Sequence, residues 1–152
     1  MPNPHWTAYL TALALPVIAV IGAWIAFRQS QIARNKLKLD LFDKRMGVYQ
    51  AVREGLSSAA THGKLTHEEE VKYLIGTRPA QWLFGPEVFT YLDETLWHKI
   101  VDLGLHNAMS EGRTNDNERV KHIHARAETM KWLVAQYKEF DKLCADYLTL
   151  KH

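Results

Sequence analysis

Lys36-Leu37-Lys38-Leu39-Asp40-Leu41 alternates polar and apolar side chains with a period of two, the mark of a half-buried strand. Placed at helical intervals, the same region reads differently. Ile32, Leu37, Leu39, Leu41, Phe42, Met46, Val48, Tyr49, Val52 and Leu56 then share one sector of roughly 220°, and Lys36, Asp40, Asp43, Lys44, Gly47, Gln50 and Glu54 take the remainder. No proline or glycine interrupts residues 28–46, so the pattern predicts a helix that runs on to about Ser58. A surface helix needs an apolar stripe of only about 100°. The wider sector, with Leu37, Leu41, Val48 and Val52 along it, predicts packing against two neighbours: the chain's own domain and a second protomer, or helices of the same chain on both sides. Arg45 points into the middle of this sector and is expected to pair with an acidic residue, Glu87 or Glu94, across a packed interface.

Upstream, residues 6–27 (WTAYLTALALPVIAVIGAWIAF) carry no charge. At 1.5 Å per residue such a helix is roughly 33 Å long, enough for a hydrocarbon core of about 30 Å. Trp6 and Tyr9 at one end and Trp24 and Phe27 at the other suit the two interfaces, and Pro16 can kink the span. The preceding MPNPH lacks the basic residues of a signal peptide, and a basic cluster follows the run, so it reads as an uncleaved anchor. The positive-inside rule places residues 1–5 outside and residues 28–152 in the cytosol. Small residues four apart, Ala8 and Ala12, Ala19 and Ala23, Gly22 and Ala26, permit close helix packing and self-association.

Further along, Thr66-His67-Glu68-Glu69 is a capping box that opens a helix through about Ile75. A short turn over residues 80–84 ends at Gly85-Pro86-Glu87, where proline opens the next helix, predicted to reach about Met109 with Phe89, Leu92, Leu96, Ile100 and Leu103 on one face. Residues 110–117 read as a loop. The last helix, from about Asp116 to Tyr147, is predicted to bury the 3-4-3-4-3 seam of Val120, Ile123, Ala127, Met130, Val134 and Tyr137. The expected architecture is all-α: a transmembrane helix (6–27) continuing into an amphipathic juxtamembrane stem (28–60), packed with a small cytosolic helical domain (61–152).

Charge sharpens this picture. The formal net charge is +2, but residues 28–53 hold seven basic side chains (Arg28, Arg34, Lys36, Lys38, Lys44, Arg45, Arg53) and two acidic ones, whereas residues 54–152 carry net −3. Arg28, Arg34, Lys36 and Lys38 are therefore assigned to anionic lipid headgroups, with Arg34 and Lys38 reaching them by snorkelling. A mildly acidic folded domain argues against nucleic acid as a partner. The single cysteine, Cys144, excludes an intrachain disulfide and reads as a core thiol.

Little here looks catalytic. Glu94, His98, Asp102 and His106 recur every four residues, a spacing that could offer metal ligands, but the stripe lies about 200° from Leu96, on the polar side where such residues belong anyway. His122 and His124 point in different directions. Phosphate-binding glycine loops, HExxH, GxSxG and CxxC are absent from the sequence. No cofactor and no catalytic residue is expected. Trp82, Phe84 and Pro86 in WLFGPE concentrate large apolar groups at a rigid corner, read first as a buried helix junction and second as a partner-binding corner.

The segments NKLKLDLFDKRMGVYQAV and WLFGPEVFTYLDE, with Trp132, Gln136, Phe140, Tyr147 and Leu148 near the C-terminus, resemble a widespread group of small bacterial membrane-anchored helical proteins. The resemblance implies a bacterial, single-pass, helical protein of the inner membrane and supplies no catalytic residues. The function expected on all these grounds is an interaction and oligomerisation module with an unidentified protein partner. An oligomeric membrane effector gated at its cytosolic domain is the alternative, and a metal-dependent enzyme using the His98 stripe the weakest reading.

Overall fold

The computed structural model describes the backbone of residues 5–111 and 116–149 and the side chains of residues 16–111 and 117–149. Among the described residues every regular element is helical: α1 (His5–His62), α2 (His67–Thr77), α3 (Ala80–Leu83), α4 (Pro86–Thr90), a π-helical turn (Tyr91–Leu96), α5 (Trp97–Glu111) and α6 (Asp116–Ala145). The chain divides into two units, Met1–Asp40 and Leu41–His152.

The first unit holds the N-terminal part of α1, with Pro16 inside the helix and every described side chain from 16 to 40 exposed. Among the described residues no helix is long and apolar enough to cross a membrane. Residues 6–15 of the uncharged run, including Trp6, Ala8, Tyr9 and Ala12, lie outside the described side chains.

The period-two alternation of residues 36–41 resolves as helix, because α1 passes through it unbroken. Val48, Val52, Leu56 and Ala59, at steps of four, four and three, form the buried edge of α1. The helix ends at His62 rather than near Ser58. Ala59 is fully buried and so holds another turn in place, and Gly63 stops it: its N–H still bonds Ala59 O at 2.9 Å, while its φ of +71° turns the chain out of the helix. The capping box of α2 forms as the sequence predicts, with Glu69 N–H donating to Thr66 Oγ1 (3.3 Å) and Thr66 N–H donating to Glu69 Oε2 (2.8 Å).

α1 and α2 approach closely at two glycines. A Cβ on Gly55 would overlap the Tyr73 ring, and one on Gly76 would meet the Ala51 side chain. Tyr73 thereby lies flat across α1, stacks on Trp97 (centroids 5.5 Å apart) and donates from its hydroxyl to Leu92 O. Burial raises its pKa.

Val88, Leu92, Leu96 and Ile100 are all buried, each four residues after the last. On a uniform α-helix, steps of four rotate about 40° each and would carry the row off its face. The wider π-helical turn at Tyr91–Leu96 absorbs that drift, so one continuous row reaches the core. The predicted seam of α6, by contrast, holds only at Met130 and Tyr137, which are half-buried against the core. Val120, Ile123 and Val134 are each about half exposed and Ala127 is exposed, whereas Leu133, Gln136, Phe140 and Cys144 are buried. Apolar spacing alone could not tell the two faces apart, because Val120–Tyr137 and Leu133–Cys144 are both helical rows. Which one packs is decided by the neighbouring elements, with Tyr49 of α1 and Tyr91 of the π-helical turn both stacking on Phe140. Gln136 enters the core because both polar atoms of its amide are bonded, the oxygen accepting from Tyr91 Oη (2.7 Å) and the nitrogen donating to Trp132 O (3.2 Å).

The two stem glycines separate by environment. A methyl group on Gly47 would have nothing within 4 Å of it, so Gly47→Ala is expected to stabilise the second unit by up to about 1 kcal/mol. Gly55→Ala must displace the Tyr73 ring and is expected to destabilise by about 1–3 kcal/mol. Urea unfolding of the two variants, followed by helical circular dichroism, checks the opposite signs.

Candidate functional site

Arg45 is the cation that the sequence places inside an apolar sector, and neither Glu87 nor Glu94 meets it; both carboxylates are exposed. Its Nε donates to Leu83 O (2.8 Å), at the C-terminal end of α3, and its Nη1 donates to Tyr147 O (3.0 Å), just past the end of α6. The predicted acid pairing is corrected for a simple reason. The last carbonyls of a helix have no intrahelical donor and carry the negative end of the helix dipole, so a guanidinium fork is satisfied there without a carboxylate.

The guanidinium also lies over the Tyr147 ring at 5.3 Å and the Phe84 ring at 6.0 Å. Phe84 and Tyr147 contact each other with ring centroids 5.2 Å apart, and Tyr147 Oη accepts from Gly85 N–H at 3.1 Å. A side chain on Gly85 would occupy the place of that hydroxyl. One cation thus fastens α1, the α3–α4 corner and the end of α6. Of the corner residues, Phe84 is buried in this junction, Pro86 is exposed at N1 of α4, and Trp82 is 64% exposed.

Beside the clasp, Lys44, Arg78, Pro79, Gln81, Trp82 and Leu83 line an open groove of about 620 Å³. Its walls are apolar, it contains no carboxylate, and among the described residues neither Lys44 nor Arg78 forms an ion pair. A second polar cluster lies farther along α1. Asp141 accepts from Tyr49 Oη (2.6 Å) and Arg53 Nη1 (3.2 Å), and Arg53 lies over the rings of Tyr49 and Tyr137. The hydrogen bond to Asp141 raises the Tyr49 pKa, but the ion pair is nearly half exposed and contributes little to stability.

The acidic–histidine stripe does not converge. His98 is exposed, Asp102 lies 3.8 Å from Lys99, and His106 faces His122 of α6 with the two Nδ1 atoms 3.3 Å apart, one as donor and the other as acceptor. Among the described residues no group of three or more His, Cys, Asp or Glu side chains is placed to hold a metal ion. Cys144 is fully buried, and burial, with Asp141 nearby, pushes its thiol up to about 12; it is a core group.

On the stem, Val48 and Val52 are buried and Arg45 half-buried, while Leu37 and Leu41 are exposed. Ala19, Gly22, Ala23 and Ala26 are exposed, as are Arg28, Arg34, Lys36 and Lys38. Sequence reasoning missed Tyr147 as the partner of Arg45 and missed Lys44, Arg78 and Gln81. No sequence signal marked Tyr147 for this role, since what Arg45 meets there is a backbone carbonyl. The groove residues carry none, since they come from separate elements. No protein-family model, curated protein or solved structure matches the chain.

Two measurements probe this region. Arg45→Ala is expected to cost about 2 kcal/mol, the lower part of the range for hydrogen bonds to a charged group because the site is half-buried. Arg45→Lys is expected to lose less in the same urea titration, since an ammonium keeps the charge without the fork. At the α1–α2 junction, Ser58 Oγ, Thr66 N–H and Thr66 Oγ1 all donate to Glu69, and these bonds hold its carboxyl at about 2, below the ordinary 4.5. A depressed folded-state pKa gives stability that is present above the unfolded value and fades as pH falls from about 4.5 towards 2. Thermal melts between pH 6 and about 2 should show that loss in the wild type and a smaller one in Glu69→Gln.

Proposed function

We propose that the chain is a bacterial inner-membrane protein that crosses once, N-terminus out, and that its cytosolic helical domain is an interaction and oligomerisation module without catalytic activity. The observation that carries this reading is the surface of α1 between residues 17 and 27. Val17, Ile18, Val20, Ile21, Trp24, Ile25 and Phe27 are all large, apolar and exposed, and no charged residue occurs among them. At 100° per residue these side chains share one side, and Ala19, Gly22, Ala23 and Ala26 occupy the other. A helix with no polar face is stable in lipid or in a core, and small residues on one side let a second such helix approach closely. The basic side chains from Arg28 to Lys38, all exposed, follow at once and suit anionic headgroups on the cytosolic side; Arg28 lies over the Trp24 ring at 5.3 Å.

The face of small residues also favours a second reading, in which assembled spans form a membrane lesion gated at the cytosolic domain. The two differ in consequence. Under either, the chain is expected to stay with membranes after alkaline carbonate extraction and to show a mass above one protomer in detergent. Release by carbonate overturns the anchor, and a strict monomer overturns oligomerisation. Dye leakage from vesicles, abolished by Leu at Ala19, Gly22 and Ala23, selects the effector; tight vesicles select the module.

A further inference from the structure

The groove beside the clasp has the character of a ligand site rather than of a packing defect. Its volume of about 620 Å³ lies within the range of about 300–1,000 Å³ typical of small-molecule pockets. The apolar wall is built from rigid groups. Trp82 keeps most of its indole in solvent, an unfavourable placement for the largest apolar side chain of this unit's surface, and Pro79 and Leu83 continue the wall.

The charge at the rim is one-sided. Lys44 comes from α1 and Arg78 from the residue capping α2, so two separate elements deliver cations to one opening. Lys72, by contrast, lies 2.6 Å from Glu54, and both line a separate groove with Ala51, Gly55 and Tyr73. Arg78 also borders a groove containing Asp93, yet no ion pair joins them. Unpaired cations over an apolar wall attract a molecule that is apolar in body and anionic at one end.

We propose that this groove binds a flat aromatic anion, its ring against Trp82 and Pro79 and its carboxylate or phosphate between Lys44 and Arg78. Gln81 supplies an amide that can donate to the same group or to a ring substituent. Leu83, which lines the groove, also accepts the Arg45 bond through its carbonyl, so the groove adjoins the clasp that ties α1 to the α3–α4 corner. This site goes beyond the proposed interaction function and does not depend on membrane anchoring.

The test is isothermal titration of the full-length protein in detergent with 2-naphthoate and 2-naphthyl phosphate, using 2-naphthylmethanol and 2-naphthylmethylammonium as neutral and cationic controls. One equivalent of anion is expected to bind with a sub-millimolar Kd, and the preferred head group tells a carboxylate ligand from a phosphate. Trp82→Ala, Lys44→Glu and Arg78→Glu are each expected to weaken binding by about tenfold or more. Lys131→Glu, on exposed α6 surface outside the groove, is expected to leave it unchanged. All four positions are exposed, so helical circular dichroism should match the wild type. Equal affinity for the neutral and anionic probes, binding that survives the three groove variants, or no binding of either anion overturns the proposal.

Discussion

The second unit depends on a single guanidinium that satisfies two helix ends at once. Short helices are marginal alone, and α3, with four residues, could not persist without tertiary support. Its C-terminal carbonyl at Leu83 and the Tyr147 carbonyl beyond α6 both need donors, and Arg45 gives one to each. The arrangement is economical in charge: a half-buried cation is compensated by backbone dipoles and two aromatic faces, so no carboxylate has to be desolvated beside it. It also sets the geometry around it. With Leu83 and Tyr147 fixed, Phe84 is driven inward, Gly85 must lack a side chain, and Trp82, two residues before Phe84, is left outside against the groove.

A different constraint governs the far end of α1. There the helices are held by close approach rather than by charge, with Gly55 and Gly76 bringing the backbones of α1 and α2 near enough for Tyr73 to lie between them. Tyr73 then meets Trp97 and Leu92, which ties the first two helices to the row that runs through the π-helical turn. The wider turn keeps Val88 through Ile100 on one face, and that face packs with Leu133 and Phe140 of α6 in a single core cluster.

What was legible in the sequence follows from how local each signal is. The helices, the Thr66 capping box, the proline at N1 of α4 and the burial of Val48, Val52 and Cys144 rest on spacing or on bonds between near neighbours, and they stand in the structure. The partner of Arg45 lies 38 and 102 residues away and is backbone, which no pattern of side chains announces. The face of α6 was misassigned because two apolar rows compete on one helix, and only α5 and α1 decide between them. The groove was invisible for the same reason: Lys44 and Trp82 become neighbours through tertiary packing alone.

Val120, Ile123, Ala127 and Val134 belong to a row with the three- and four-residue steps of a helix-packing seam, yet these four are exposed and the core uses a row rotated away from them. On α5, Val101, Leu105 and Met109 repeat the situation at steps of four, each about half exposed and opposite the buried Ile100 and Leu103. A domain that needed only to fold would tend to place Lys, Glu or Gln at such positions, where apolar side chains add nothing to its own core. The second unit therefore has more apolar helix surface than its interior consumes, and this excess lies along α5 and α6. The clasp and its groove gather around Arg45 instead. Two regions of one small helical unit thus carry different kinds of surface, one apolar and periodic, the other a cationic open groove.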